Sequence, residues 1–194
     1  MMWAACTMAF FGFFGLGEIT VPSEEAFDPS AHLTPSDIAI DDRDNPTLVQ
    51  VYLKVSKTDQ GRKGISIFLG KTGDDLCPVA AISAFLAIRG SSAGPFFQLP
   101  GSVPITKDSF TTCVRSALSA LGYNSSLYAS HSFLIGAATT AAERGIEDSI
   151  IKALGRWKSD TYQAYVKIPR ASLASFTAIL SSPAPSPAYI SLPV

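Results

Sequence analysis

Ser130 to Lys167 reads SHSFLIGAATTAAERGIEDSIIKALGRWKSDTYQAYVK, and the fold turns on how this stretch is read. Polar and aromatic groups of unusual type punctuate it: His131, the pair Arg156 and Trp157, and Tyr165. Gly145 and Gly155 divide two helical patterns. Ser130 is expected to cap the first, because its side-chain oxygen can accept from a free N–H of the first turn. Gly136, Ala137, Ala138, Ala141 and Ala142 make that helix small enough to pack closely against a neighbour. The second, from about Ile146 to Leu154, opens with Glu147 and Asp148, as the helix dipole favours. Ile146, Ile150, Ile151 and Leu154 follow the helical period. Tyr162 and Tyr165 lie on a third segment before Pro169.

Around this stretch the chain shows no internal repeat and no long run of charge. Its 194 residues suit one domain with a sizeable core. A 47% hydrophobic content with a net charge of -1 argues for a folded globule rather than disorder, and against a strong non-specific phosphate binder. A locally basic face stays compatible with that balance. Cys6, Cys77 and Cys113 are odd in number and widely spaced, so they are expected as reduced, buried thiols, with no disulfide framework and no zinc site.

Met1 to Leu16 is uncharged and almost wholly apolar. It has no basic n-region and no small-residue cleavage site, and it falls short of the roughly 20 residues of a spanning helix. A buried core helix ending near Gly15 and Gly17 is the expected reading, and a membrane-associated segment the least favoured. Glu18 to Asn45 reads as a connector, with Thr34-Pro35-Ser36-Asp37 a turn signal and Ile38 to Ile40 a short strand. His32 receives no role there. Leu48 to Val55 and Ile65 to Leu69 are expected as strands joined by a polar, glycine-bearing turn. Pro78 opens a helix that stops at Gly90. Ser91 to Pro104 is expected as a loop. Thr106 to Leu121 follows as a helix capped by Thr106 and stopped by Gly122, and residues 181–194 as a proline-rich flexible tail.

Taken together, HSFLIGAATTAAERGI, LGRWKSDTYQAYVK, SKTD at Ser56 to Asp59 and FFGFFGLGEIT resemble the tyrosine recombinases, most of all those of DIRS-type retrotransposons. The similarity extends from Phe10 to about Leu180. It implies a mainly α fold with a small antiparallel β-sheet over residues 1–180, lacking the family's N-terminal portion and its DNA-clamping domain. It implies DNA as partner, no metal or other cofactor, no membrane association, and an intracellular location, the nucleus in a eukaryote. The apolar stretch Ser172 to Leu180 is the expected means of pairing with a second copy on DNA.

In the family a tyrosine hydroxyl attacks a phosphodiester, leaving a 3′-phosphotyrosine and a free 5′-hydroxyl. Two arginines stabilise the phosphorane, because a guanidinium fork matches two phosphate oxygens at once. A hairpin lysine protonates the leaving oxygen, and a His with a second His or Trp completes the pocket. By position Tyr165 matches the nucleophile, His131 opens the HxxR motif, and Lys57 matches the hairpin lysine. The His-or-Trp position falls on Arg156 without gaps, or on Trp157 with a slip of one residue, the preferred assignment. These residues are expected to converge on one groove, with Tyr165 within reach of His131.

Two departures decide the expected activity. Leu134 stands at the HxxR arginine, and Gly15 at the arginine of the first motif. Losing one preorganised oxyanion donor lowers a rate about 100- to 1,000-fold. A degenerate, catalytically impaired recombinase is therefore expected, with a non-enzymatic DNA-binding or protein-pairing remnant of a mobile element as the alternative. Taken singly, the tyrosines pass as packing residues, His131 as an ordinary helix-start histidine, Trp157 as a hydrophobic anchor, and Lys54 and Lys57 as solvated hairpin charges. Their common order and spacing lift them above those readings.

Overall fold

The computed structural model describes residues 1–56 and 63–167. The expected hairpin turn with Lys57, the pairing segment at Ser172 to Leu180 and the tail lie outside them. Helix α1 (Met2–Phe11) runs through the centre. Ala4, Ala5, Met8 and Ala9 are fully buried there, and the small side chains of the three alanines let two helices approach closely. The neighbours are α3 (Pro78–Arg89) and α5 (Ser132–Glu143). No helix among the described residues is long and apolar enough to cross a membrane.

The apolar helix ends earlier than expected, at Phe11. Phe14 folds back over the helix end so tightly that a Cβ on Gly12 would stand 2.2 Å from its ring. Phe13 turns left-handed at φ 52, and a separate short helix, α2 (Leu16–Ile19), follows. Thus Gly15 and Gly17 start the next element instead of closing the first.

One three-stranded antiparallel sheet, ordered β1 (Ile38–Ile40), β2 (Leu48–Leu53), β3 (Ile65–Gly70), packs against α3 through β2 and β3. Val49, Val51 and Leu53 alternate inward, as the period of two requires, and Leu69 opposite Val49 completes the inner face. Lys54 is not the solvated hairpin charge that the reading taken singly would make it. Its ammonium is held by the Asp37 carboxylate and by the carbonyls of Pro29 at 2.9 Å and His32 at 3.2 Å. His32 Nδ1 in turn accepts from the Asp28 N–H at 3.0 Å.

Helix α3 begins at Pro78 and stops at Gly90, as its sequence dictates, with Cys77 Sγ accepting from the Ala80 N–H at 3.4 Å. Of the three cysteines only Cys77 is buried. Cys6 is half-buried, its thiol pushed up to about 11 by burial and by Cys113, which is exposed.

The expected loop at Ser91 to Pro104 carries a two-stranded sheet, β4 (Gln98–Leu99) with β5 (Val103–Pro104). Arg89 organises it, donating to the carbonyls of Ser92, Pro95 and Phe96 at 2.7 to 2.9 Å. That anchorage seats Phe96 and Phe97 in the core against Phe85. Helix α4 (Lys107–Ala120) is capped by Thr106, which accepts from the Ser109 N–H at 3.1 Å.

In the last stretch the cap differs from the expected one. His131, not Ser130, occupies the N-cap of α5, without a side-chain cap bond, and Ser132 Oγ accepts from the Ala129 N–H at 2.9 Å. Helix α6 (Asp148–Leu154) turns only Ile151 inward, and Ile146, Ile150 and Leu154 are exposed. Ile151 joins Phe13, Leu134, Ala137, Ala138, Ala141 and Tyr162 in a second core that binds α5, α6 and the final turn together.

Candidate active-site cleft

Helix ends build the site. Helices α4 and α5 both close with a glycine in the left-handed conformation, Gly122 at φ 82 and Gly145 at φ 73. Such a residue one step past the cap is the usual stop, because glycine alone adopts it without strain. Helices α1 and α6 close with the same hydrogen-bond pattern but with side chains at that position: Phe13 at φ 52 and Arg156 at φ 59. In both, the glycine sits one residue earlier, where the following aromatic ring lies on it. Phe14 covers Gly12, and Trp157 covers Gly155, whose added Cβ would stand 1.9 Å from the indole.

The two irregular ends face each other and Arg156 joins them. Its Nη1 donates to the Gly12 carbonyl at 3.0 Å and its Nη2 to the Phe13 carbonyl at 2.9 Å. Nη2 also pairs with Glu18 Oε2 at 2.8 Å, an oxygen that accepts from the Gly15 N–H at 2.9 Å. The Arg156 side chain is 8% exposed, and its Nε is buried without a partner among the described residues.

Beside this junction opens a cleft of about 620 Å³. Its walls are the start of α2 from Gly15 to Glu18, Val55 and Ser56 on the hairpin stem, Lys107 at the head of α4, Ser130 and His131 at the head of α5, and Gly155 to Ser159. Tyr165 closes one side. Its ring stacks on Trp157 at 5.3 Å and 28° and lies 6.3 Å from the His131 imidazole. Thr139 Oγ1 fixes its backbone, donating to the Tyr165 carbonyl at 3.2 Å and accepting from the Lys167 N–H at 3.0 Å.

Tyr162 stands apart from Tyr165 in kind. It is buried, and its hydroxyl donates to Asp148 at 2.5 Å. That bond first, and burial second, push its ionisation above the usual tyrosine range. Tyr162 is thus an anchor of the second core, whereas the half-buried Tyr165 faces the cleft.

Of the residues singled out in the sequence, His131, Arg156, Trp157 and Tyr165 line this one cleft, and so do Gly15 and Leu134. Lys57 lies outside the described residues and directly follows Ser56, which is in the wall. Gly15 is extended (φ -69, ψ 143), and a Cβ there meets nothing nearer than Glu18 at 3.8 Å. Leu134 is 9% exposed and packs in the second core. Of these two positions, Gly15 therefore borders open space and Leu134 fills its place with hydrocarbon.

Lys107, Lys158 and Phe13 were not legible as cleft residues. Lys107 arrives because Val21 and the Ile105–Lys107 strip exchange backbone bonds at 3.0 and 3.3 Å, a contact across the chain that no local pattern encodes. A second hollow of about 270 Å³, between α1, α4 and α5, is walled mainly by Phe10, Phe110, Val114, Leu118 and Phe133. It holds none of the expected site residues. No group of three or more His, Cys, Asp or Glu able to hold a metal occurs among the described residues.

No family model matches the sequence, and no curated protein does. Solved structures do match. XerA recombinase superposes with a TM-score of 0.67 at 16% identity, over 94% of this chain and 57% of that one. The fold is that of a tyrosine recombinase catalytic domain. XerH site-specific recombinase bound to its difH substrate gives a TM-score of 0.58 at 13% identity, over 93% of this chain and 46% of that one. The Tn1549 transposon integrase in complex with a circular intermediate DNA gives 0.57 at 12%, over 92% and 58%. This chain thus spans about half the length of the recombinases it matches.

Proposed function

We propose that this chain is a DNA-binding, recombinase-like domain of a mobile element, of the DIRS type by its motifs, whose phosphoryl-transfer chemistry is impaired. The observation that carries the reading is the grouping of Tyr165, Trp157 and His131 in one cleft whose two arginine positions hold Gly15 and Leu134. In that chemistry the Tyr165 hydroxyl gives up its proton to water as its oxygen bonds to phosphorus, the bond from phosphorus to the 5′-oxygen breaks, and the 5′-oxygen takes a proton, in the family from the lysine matched by Lys57. The one guanidinium in the described wall, Arg156, is engaged by Glu18 and the carbonyls of Gly12 and Phe13, so the charge of the phosphorane is left to His131, Lys107 and Lys158, single-point donors that hold two phosphate oxygens less well. The proposal includes an intracellular site of action, the nucleus in a eukaryote, and pairing on DNA through Ser172 to Leu180.

The test is covalent trapping on nicked DNA carrying the element's terminal sequence, alongside a direct binding measurement. The natural chain, Tyr165→Phe, Gly15→Arg and Gly15→Arg with Leu134→Arg are compared. DNA binding with an adduct only from the arginine variants supports the reading. An adduct from the natural chain that Tyr165→Phe abolishes overturns the impairment. Absence of DNA binding by every variant overturns the DNA assignment and favours the second reading, a protein-pairing remnant, for which the exposed Ile146, Ile150 and Leu154 offer an apolar strip.

A further inference from the structure

Arg156 occupies the place where the family's His or Trp falls on gapless matching, and its side chain behaves like neither. We propose that Arg156 is the positioning residue of the cleft: an internal guanidinium that neutralises Glu18, ties the end of α1 to the end of α6, and thereby sets Trp157 as the platform for Tyr165. The inference deepens the reading of this cleft as a recombinase-like site and rests on that reading for the importance of Tyr165, but its geometry stands on the chain alone.

Three observations converge. The Glu18 carboxylate is largely buried, and Gly15 beside it has no side chain to offer a charge; Arg156 is the cation that meets it. A buried carboxylate without a cation is costly, so the pair cannot be opened freely toward a phosphate. Next, Phe13 and Arg156 both hold left-handed backbone that L-residues avoid, and such conformations persist only where the surroundings over-determine them. The guanidinium supplies that constraint, grasping the carbonyls of Gly12 and Phe13 while its own chain reverses at φ 59. Finally, Trp157 lies between the two clamped ends. Its indole rests on Gly155 below, meets Phe13 edge-on at 6.4 Å and stacks on Tyr165 at 5.3 Å. Shifting either end moves the platform.

A planar fork with several donors can reach two carbonyls and a carboxylate at once, which a lysine ammonium cannot do with the same geometry. The residue most compatible with the backbone at this position is glycine. Arg156→Gly therefore removes the clamp while relieving the strain, and it separates the side chain's role from the conformation's.

The chain has two tryptophans, so Trp3→Phe leaves Trp157 as the sole indole reporter. In that background, acrylamide quenching of Trp157 emission is measured for Arg156→Gly, Arg156→Lys and Glu18→Gln, with far-ultraviolet circular dichroism reporting the fold. The expected result is a several-fold rise in quenching for Arg156→Gly with helix content unchanged, a smaller rise for Arg156→Lys, and near-parental quenching for Glu18→Gln, whose amide oxygen still accepts. Parental quenching in Arg156→Gly overturns the proposal. Should that variant fail to fold, parental quenching in Arg156→Lys overturns it equally, because a lysine keeps the charge and loses the fork. DNA affinity is read in parallel: a drop with unchanged emission makes Arg156 a phosphate ligand and overturns the positioning role. The emission readout needs no DNA, so failure of the DNA assignment leaves it interpretable.

Discussion

The indole of Trp157 lies on the backbone of Gly155, where any added Cβ would stand 1.9 Å from its edge. Gly155 has an ordinary φ of -82, so alanine is excluded by the ring and not by the backbone. Gly155→Ala must push the indole off its seat or open the turn. Overpacking of this kind costs about 1–3 kcal/mol. In a domain of this size each kcal/mol lowers the melting temperature by about 2–4 °C. Thermal unfolding of Gly155→Ala is expected to show that loss, with altered Trp157 emission; an unchanged melting temperature would contradict the packing described.

Gly15 and Leu134, the positions matched to the family's arginines, should respond unequally to substitution by arginine. Gly15 is extended and open, so Gly15→Arg is expected to alter stability by no more than a typical surface change, about 0.5 kcal/mol. Leu134 packs against Ala137, Ala138 and Tyr162, and Leu134→Arg exchanges buried hydrocarbon for a charge that has to reach the cleft. The expected loss is about 2–4 kcal/mol, comparable to truncating a buried leucine. Thermal unfolding of the single variants checks both, and equal costs would show that the two positions are not the open and filled sites described.

Alkaline pH should single out Tyr162. Its bond to Asp148 and its burial favour the neutral phenol, so its ionisation lies above the usual value near 10. A group raised in the folded state contributes stability fully below its unfolded value and loses it as pH rises through the folded one. The Tyr162 contribution is therefore expected to be complete and independent of pH around neutrality, and to fall away above about pH 10. Tyr162→Phe should remove that part of the alkaline loss in urea titrations run from pH 8 to 11. The same slope in both proteins would assign the loss elsewhere.

How much of this was readable in advance follows the reach of each signal. Pro78 with Gly90, Thr106 with Gly122, and the alternation of Val49, Val51 and Leu53 are local patterns, and their elements appear where the sequence puts them. Helix α6 ends at Leu154 as its sequence indicates, but the end of α1 was not legible, and in both the usual left-handed glycine is replaced by a side chain, Phe13 or Arg156, with the glycine one residue early. That order makes sense only once the Phe14 and Trp157 rings are seen lying on Gly12 and Gly155. The grouping of His131, Trp157 and Tyr165 followed from a resemblance in order and spacing. The pairing of Arg156 with Glu18 spans most of the chain, and nothing near either residue announces it. Ser130 offered a good capping side chain and lost the position to His131, since the Ala129–Ser132 turn delays the first helical residue.

The hairpin stem supplies the last test. Lys54 follows β2 directly, two residues before Ser56 in the cleft wall, and its ammonium meets Asp37 and two connector carbonyls. Asp37 is also the acceptor for the Thr34 N–H at 2.8 Å and hydroxyl at 2.7 Å. Lys54→Met strands that carboxylate, whose side chain is only 6% exposed. Breaking a buried pair from one side costs about 3–5 kcal/mol, and the low end applies because Lys54 retains some contact with water. Adding Asp37→Asn removes the stranded charge while keeping an oxygen for Thr34, so the double variant is expected to recover part of the loss. Urea unfolding of the two single variants and the pair gives the coupling directly. Strict additivity would mean that Lys54 and Asp37 act independently, and that the stem leading to Lys57 is held by its strands alone.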